Sequence, residues 1–215
     1  MTVSVVVPVF RNAPTLRELA GRIAASLEVP FEIVFVDDAS PDDSAEVLAS
    51  LASDRVRVVT HARNQGQNAA VLTGFEHARG EVLVVLDADL QDPPEAIPEL
   101  LRAKRESGAA VVFGARSGDY ARRGRMFTSR IYKRALSLLT RVPHGAGLFV
   151  ALDRGVAEEL RALAPMPSVV AALGVLRVKM IAIPVARAPR GESAYSGFDR
   201  LRLACRTLAW ILAHR

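Results

Sequence analysis

The chain has 215 residues, half of them hydrophobic, with 28 lysines and arginines against 23 acidic residues for a formal charge of +5. That length can bury a full core as one domain, and no apolar run approaches the ~18 residues of a membrane span. A single cysteine, Cys205, excludes an internal disulfide and fits a reducing cytoplasm; nothing resembles a zinc site, and no basic segment precedes the first apolar run as a secretion signal would require.

In chain order, apolar runs at Val3–Val9, Phe31–Val36, Val56–Val59, Val82–Leu86 and Ala109–Phe113 alternate with amphipathic stretches near 14–27, 42–53, 66–78 and 94–106. That rhythm predicts βαβ units, hence an α/β fold with a Rossmann-like, mostly parallel sheet and helices on both faces. Past residue 115 the rhythm fails. A basic amphipathic segment (121–141), a short apolar piece (Leu148–Leu152), a helix-like stretch from Arg154, an extended run Val178–Val185 and a polar loop Arg187–Ser196 follow. A second basic amphipathic helix (198–215) ends the chain. We expect one compact domain in two halves, 1–118 with the alternating α/β pattern and 119–215 with the basic amphipathic helices.

The charge is uneven. Residues 120–141 hold six arginines and Lys133 with no acid, and 198–215 hold four arginines against Asp199, so the rest is net acidic. A basic surface on an acidic body points to one anionic partner at one place. On 121–141, Phe127, Ile131, Ala135, Leu138 and Val142 form one apolar stripe; on 198–215, Phe198, Leu201, Cys205, Leu208 and Leu212 do the same beside Trp210. Basic amphipathic helices can lie in a lipid headgroup layer, or they can pack on the core or on a second copy as a homo-oligomer. Nucleic acid is disfavoured, because the bases surround apolar stripes and no stacking platform is visible.

The most informative stretch is Asp87-Ala88-Asp89-Leu90-Gln91-Asp92-Pro93-Pro94-Glu95, directly after a buried-strand pattern. It sets two carboxylates at a strand's carboxyl end, the edge where open α/β sheets bind ligands. Hard cations such as Mg2+ or Mn2+ take oxygen ligands and bridge carboxylates to substrate phosphates. A lone Asp there could simply cap the next helix; the pair with Gln91 favours a metal carrying a diphosphate. Asp37-Asp38 closes the second strand, suited to a ribose or base, with a turn through Ser40-Pro41-Asp42-Asp43 as the plainer alternative. Pro8-Val9-Phe10-Arg11-Asn12 closes the first strand on the same edge. In Asn64-Gln65-Gly66-Gln67-Asn68-Ala69-Ala70, Gly66 permits a tight turn into a helix. Gly74, Ala78 and Gly80 would let that helix approach the sheet closely, and its N-terminus would favour an anion.

In order and spacing these segments, with Gly114-Ala115-Arg116 and Pro189-Arg190-Gly191-Glu192-Ser193-Ala194-Tyr195-Ser196, resemble the family-two, GT-A-fold glycosyltransferases, and among them the polyprenyl-phosphate (dolichol-phosphate-like) sugar transferases. The resemblance implies that Pro8, Asp37 and Asp38 help hold the nucleotide. It implies that Asp87, Asp89 and Gln91 engage the metal and the donor diphosphate, and that Arg116, Arg125, Ser129, Arg190 and Ser193 face the acceptor phosphate. Asp89, Arg125 and Arg190 would then carry catalysis. An arginine fork matches phosphate oxygens bidentately, as lysine cannot.

Two departures bear on the acceptor. Many relatives carry an acid shortly before a Gly-Phe-Phe-like segment, where this chain reads Val142-Pro143-His144-Gly145-Ala146-Gly147-Leu148-Phe149, and many carry Lys where it has Ala194. A hydroxyl acceptor would need a base, for which only His144 is at hand; a phosphate acceptor is already anionic. The expectation is therefore an inverting enzyme on the inner face of the cell membrane, moving sugar from a nucleotide-diphosphate donor to polyprenyl phosphate. The alternatives are a hydroxyl acceptor, or a nucleotide-sugar-binding subunit without turnover. Relatives often continue into transmembrane helices beyond the last amphipathic segment, so the chain is expected to be an excised domain or to rely on surface binding.

Overall fold

The structure, a computed structural model, describes residues 1–116, 140, 142–186 and 197–214, with the side chains of Arg116 and 197–204 left out. In chain order the elements are β1 (Val3–Val9), α1 (Leu16–Ser26), β2 (Phe31–Asp37), α2 (Ser44–Leu51), β3 (Val56–Thr60), α3 (Gln67–His77) and β4 (Val82–Val85). A 3-10 turn at Pro94–Ala96 leads into α4 (Ile97–Ser107), then β5 (Val111–Arg116), β6 (Val150–Asp153), α5 (Arg154–Ala162), α6 (Val169–Leu173), β7 (Met180–Val185) and α7 (Gly197–Ala213).

The strands form one sheet in the order β3-β2-β1-β4-β6-β5-β7. All run parallel except β6, which is antiparallel to both β4 and β5. The sheet is thus mostly parallel, as the alternating pattern predicts, and β6 and β7 complete it from the far side of residue 118. Pro8 fits inside central β1 because the ladder to β4 ends at Val6↔Val85, before the missing proline N–H would be needed.

β1 is buried along its whole length, as a strand covered on both faces must be. Its side chains alternate between two cores. Val5, Val7 and Val9 join Leu16, Leu19 and Ile23 of α1, Leu48 of α2 and Leu100 of α4 on one face. Val6 joins Val71 and Phe75 of α3, Leu160 of α5 and Leu173 of α6 on the other. The expected close approach of α3 is present: a Cβ at Gly74 would lie 2.2 Å from Val6 Cγ1. Lys104, buried on α4, ties the layers together through Asp153 Oδ1 at 2.7 Å and the Ala109 carbonyl at 2.8 Å.

The C-terminal helix is present, and among its described side chains the most buried are not those of the apolar stripe, of which Leu208 is half-buried. Thr207 and Ile211 are fully buried and Trp210 leans on the second core, whereas Cys205 is exposed and Leu212 is 63% exposed. Residues four apart share a helix face, so 207 and 211 form the side laid down beside α6, and 205 and 212 lie opposite. Periodicity names a face without naming what covers it. The 121–141 segment falls outside the described residues except Thr140, while Val142, the last residue of its stripe, is buried in the second core. Among the described residues no helix is long and apolar enough to cross a membrane.

Candidate active site

The carboxyl ends of β1, β2, β3 and β4 bring four loops together, and hydrogen bonds from one loop to the next fix their shape. After β1, Phe10 N–H donates to Asn12 Oδ1 at 3.1 Å and Arg11 N–H to Ser40 Oγ at 3.2 Å. Asn12 N–H donates to Ser44 Oγ at 3.2 Å and Ala13 N–H to Asp42 Oδ2 at 3.3 Å. The loop after β1 is therefore laced to the loop after β2. Burial pushes the Asp42 carboxyl up, but bonds from Ser44 and Ala13 outweigh it and hold the group below its usual range.

Asp37 and Asp38 close β2 and divide the work. Asp37 is buried, and its Oδ1 accepts from Ser40 N–H at 3.1 Å, which is the turn alternative realised. Asp38 points inward: its Oδ1 takes Gln65 N–H at 2.8 Å and His61 Nδ1 at 2.7 Å, and its Oδ2 takes Gly66 N–H at 2.7 Å. The carboxylate expected at the nucleotide thus organises the loop after β3 from beneath. Gly66 enters α3 at φ 91°, a conformation that glycine adopts without a Cβ clash.

After β4, Asp87 is half-buried and Asp89 exposed. Gln67, the first residue of α3, donates from Nε2 to Asp87 Oδ1 at 2.6 Å. Asp89 Oδ1 accepts from Gln91 N–H at 3.0 Å in a local turn, with Leu90 at φ 59°. Neither acid caps the following helix, whose cap position is Ala96. The carbonyl of Ala88, between the two acids, accepts from Thr15 Oγ1 at 2.6 Å. Glu95, at the end of the motif, is gripped by Arg22 of α1 through two bonds of 2.8 Å. The Arg22 guanidinium holds the Glu95 carboxyl below its usual range, and Glu95 in turn raises Arg22.

Pro8, Asp37, Asp38, Asp87, Asp89 and Gln91 therefore share one edge, and the backbone of Arg116 ends β5 on that same edge. Arg125, Ser129, Arg190 and Ser193 lie outside the described residues. His144 stands exposed on a turn in which Ala146 N–H donates to the Pro143 carbonyl at 3.2 Å. Sequence reasoning assigns no role to Gln67, His61 or Thr15; of these only Gln67 lies in a motif, 64–70, which points to the Gly66 turn and the helix N-terminus rather than to the Gln67 side chain. Asn68 was also passed over, and it accepts from Val169 N–H and donates to the Pro167 carbonyl, both at 3.0 Å.

Among the described residues no group of three His, Cys, Asp or Glu side chains converges as a self-sufficient metal cage. The donor set fits a hard cation all the same. Mg2+ and Mn2+ sites on phosphate substrates draw on one or two carboxylates and take the remaining oxygens from phosphate and water. Asp87, Asp89 and the Gln91 amide have the oxygens that such a partial set would draw on.

The family model for glycosyl transferase family 2 matches residues 4–161. An undecaprenyl-phosphate 4-deoxy-4-formamido-L-arabinose transferase of Pseudomonas aeruginosa is 40% identical over 213 residues, which covers 94% of this chain and 62% of that protein. An uncharacterized glycosyltransferase, YkcC, of Bacillus subtilis is 34% identical over 94% of this chain and 65% of its own length. The chain thus spans less than two thirds of these curated relatives. Among solved structures, glucosyl-3-phosphoglycerate synthase of Mycobacterium tuberculosis with Mn2+ and UDP overlays with a TM-score of 0.70, at 20% identity, over 99% of this chain and 79% of that one. The mannosyltransferase PcManGT of Pyrobaculum calidifontis, with GDP-Man and Mn2+, overlays at 0.68, also at 20% identity, over 98% and 64%. The fold is the GT-A α/β fold, and the chain belongs to glycosyl transferase family 2.

Proposed function

We propose that the protein transfers a sugar from a nucleotide-diphosphate donor to a polyprenyl phosphate at a membrane surface, with inversion at the anomeric carbon. The observation that carries the acceptor is the 40% identity, over nearly the whole chain, to a transferase named for undecaprenyl phosphate. The Asp87–Asp89 pair at the loop-laced edge supports the donor half.

The nucleotide lies along Pro8 and Asp37, with Asp38 serving that site from beneath through the 64–66 loop. Asp87, Asp89 and Gln91 hold a divalent cation, which when bound neutralises charge on the donor diphosphate. Arg116, Arg125, Ser129, Arg190 and Ser193 orient the acceptor phosphate. An acceptor oxygen forms the new bond to the anomeric carbon as the bond to the diphosphate breaks, and the nucleoside diphosphate leaves with that electron pair. The nucleophile is anionic before the reaction, so no protein base is required, in keeping with the absence of an acid from 142–149.

Initial rates with a short-chain polyprenyl phosphate and with neutral sugar acceptors test this reading. His144→Ala should change the lipid-phosphate rate by less than about tenfold, because general-base catalysis supplies roughly 10²–10⁴-fold. Arg125→Ala and Arg190→Ala should weaken use of that acceptor far more. Collapse with His144→Ala alone, together with turnover on neutral hydroxyls, would replace this reading with a hydroxyl-acceptor enzyme. Donor binding without turnover on any acceptor would leave a binding subunit.

The outward side of α7, with Arg206, Cys205 and Leu212 exposed, supports peripheral binding to the inner face of the membrane. Binding to vesicles containing anionic lipid should fall as salt rises and as Leu212 is changed to Asp. Indifference to both would assign that side to another occupant, including a second copy of the chain.

A further inference from the structure

We propose that Gln67 is the positioning residue for the metal-binding carboxylate Asp87, and that the buried Asp38–His61 pair keeps Gln67 in place. The proposal rests on the reading of Asp87 as a metal ligand and extends it to residues that no motif reading assigns. Gln67 and Asp87 are twenty positions apart and come from different loops, yet the Gln67 amide meets Asp87 Oδ1 at 2.6 Å. An N–H on one carboxylate oxygen fixes rotation about the Cβ–Cγ bond and so aims the lone pairs that a cation would use. Bonds of this outer kind commonly govern ligand orientation and metal affinity.

Gln67 cannot hold that position by itself, because it is exposed and begins a helix whose cap residue is Gly66. A glycine cap has no side chain with which to tie down the entering turn. Asp38, the residue after β2, supplies the missing acceptor, taking the N–H groups of Gln65 and Gly66, the two residues just before Gln67. A carboxylate only 3% exposed is out of reach of bulk water, so its oxygens need hydrogen-bond partners within the protein. The third comes from His61, whose Nδ1 lies 2.7 Å from Asp38 Oδ1 and whose Nε2 lies 3.0 Å from Thr73 Oγ1. With Nδ1–H donating to Asp38, Nε2 accepts the Thr73 hydroxyl proton. Thr73 lies on α3 itself, so the imidazole joins the body of that helix to the carboxylate that grips its entrance. The line Thr73–His61–Asp38–Gly66–Gln67–Asp87 is thus continuous from the body of α3 to Asp87.

The test uses the full chain with Mn2+ alone, followed by the electron paramagnetic resonance of the free ion, beside urea unfolding and initial rates. Gln67→Ala should weaken Mn2+ binding about 10–100-fold without moving the unfolding midpoint, and turnover should recover at saturating Mn2+. His61→Asn keeps an N–H for Asp38 and should bind Mn2+ close to wild type, whereas His61→Leu should lose about tenfold or more on folded protein. Wild-type Mn2+ affinity in Gln67→Ala, with binding lost in Asp89→Ala, would overturn the positioning role and leave the metal reading intact. Wild-type affinity in Asp89→Ala would overturn the metal reading itself. Equal affinities in His61→Asn and His61→Leu, whether strong or weak, would overturn the anchor.

Discussion

The two edges of the sheet treat the backbone in opposite ways. At the carboxyl edge, Arg11, Ala39 and Leu90 adopt φ of 60°, 56° and 59° in the loops after β1, β2 and β4. They are the only non-glycine residues with positive φ among the described residues. At the other edge, the Ser4 hydroxyl donates to Glu32 Oε1 and accepts from Gly80 N–H, each at 2.7 Å, while Arg154 donates to the carbonyls of Ala78 and Gly80. The left-handed residue on that side is a glycine, Gly108, which ends α4. Strained non-glycine residues cost of order 1–3 kcal/mol each and persist where their surroundings over-determine them. Here that expense is concentrated at the edge carrying Asp37, Asp87 and Asp89, and the opposite edge serves as closure.

The largest effect expected from this contrast is functional and confined to the carboxyl edge. Asp89→Ala should lower turnover by more than about 10²-fold, yet shift stability by no more than about 0.5 kcal/mol, since the residue is exposed. Near wild-type rates in saturating Mn2+ would break the assignment.

Next comes the closed edge. A methyl at Gly80 would lie 2.5 Å from Ser4 N and 2.7 Å from the Val3 carbonyl carbon, both backbone atoms that cannot swing aside. Gly80→Ala should therefore destabilise by about 1–3 kcal/mol in urea unfolding, with turnover per folded molecule unchanged. Loss of turnover without loss of stability would show that this edge is more than closure.

The converse change at the carboxyl edge should have the opposite sign. Ala39→Gly relieves a left-handed alanine, which costs roughly 1–2 kcal/mol, against the extra entropy of an unfolded glycine. A net stabilisation of about 0.5 kcal/mol is the expected outcome. A loss above about 1 kcal/mol in the same unfolding assay would mean that the methyl packs and the strain reading fails.

The smallest effect concerns Glu95, which fastens the end of the Asp87–Glu95 motif to α1. Its carboxyl is held below the usual range by Arg22, so its contribution is present above the unfolded carboxyl pKa near 4.3 and is lost as pH falls through the lowered folded value. Both partners are substantially solvated, so Glu95→Gln should cost only about 0.5 kcal/mol at neutral pH. The gap from wild type should close in acid when unfolding is followed at pH 7 and below 4. A gap that persists in acid would assign the effect to packing.

Much of this was legible in the residues. Continuous runs such as Val3–Val9, short and rich in valine, read as strands covered on both faces, and the Asp87–Glu95 string marks the carboxyl edge of the sheet from its place after one such run. The face on which α7 packs was not legible, because Thr207 looks polar in sequence yet lies fully buried beside Ile211. Nor was the short helix Val169–Leu173, whose start depends on Ser168 Oγ accepting from Ala171 N–H and on Asn68, about a hundred positions upstream, accepting from Val169 N–H.

By itself, then, the sequence determined the alternation of buried strands and amphipathic helices, and with it the edge on which carboxylates would gather, because both follow from local periodicity. Tertiary structure alone decided how those carboxylates divide. Asp37 and Asp38 are neighbours of one chemistry, yet one closes a turn with Ser40 and the other holds the entrance of a helix. That difference arises from side chains pointing to opposite faces of β2 at its end, and from where His61 and Gln67 arrive on separate strands and helices. Hydrogen bonds between groups far apart in the chain have no local signature, so only the folded molecule could show which acid closes the turn and which one grips the helix entrance.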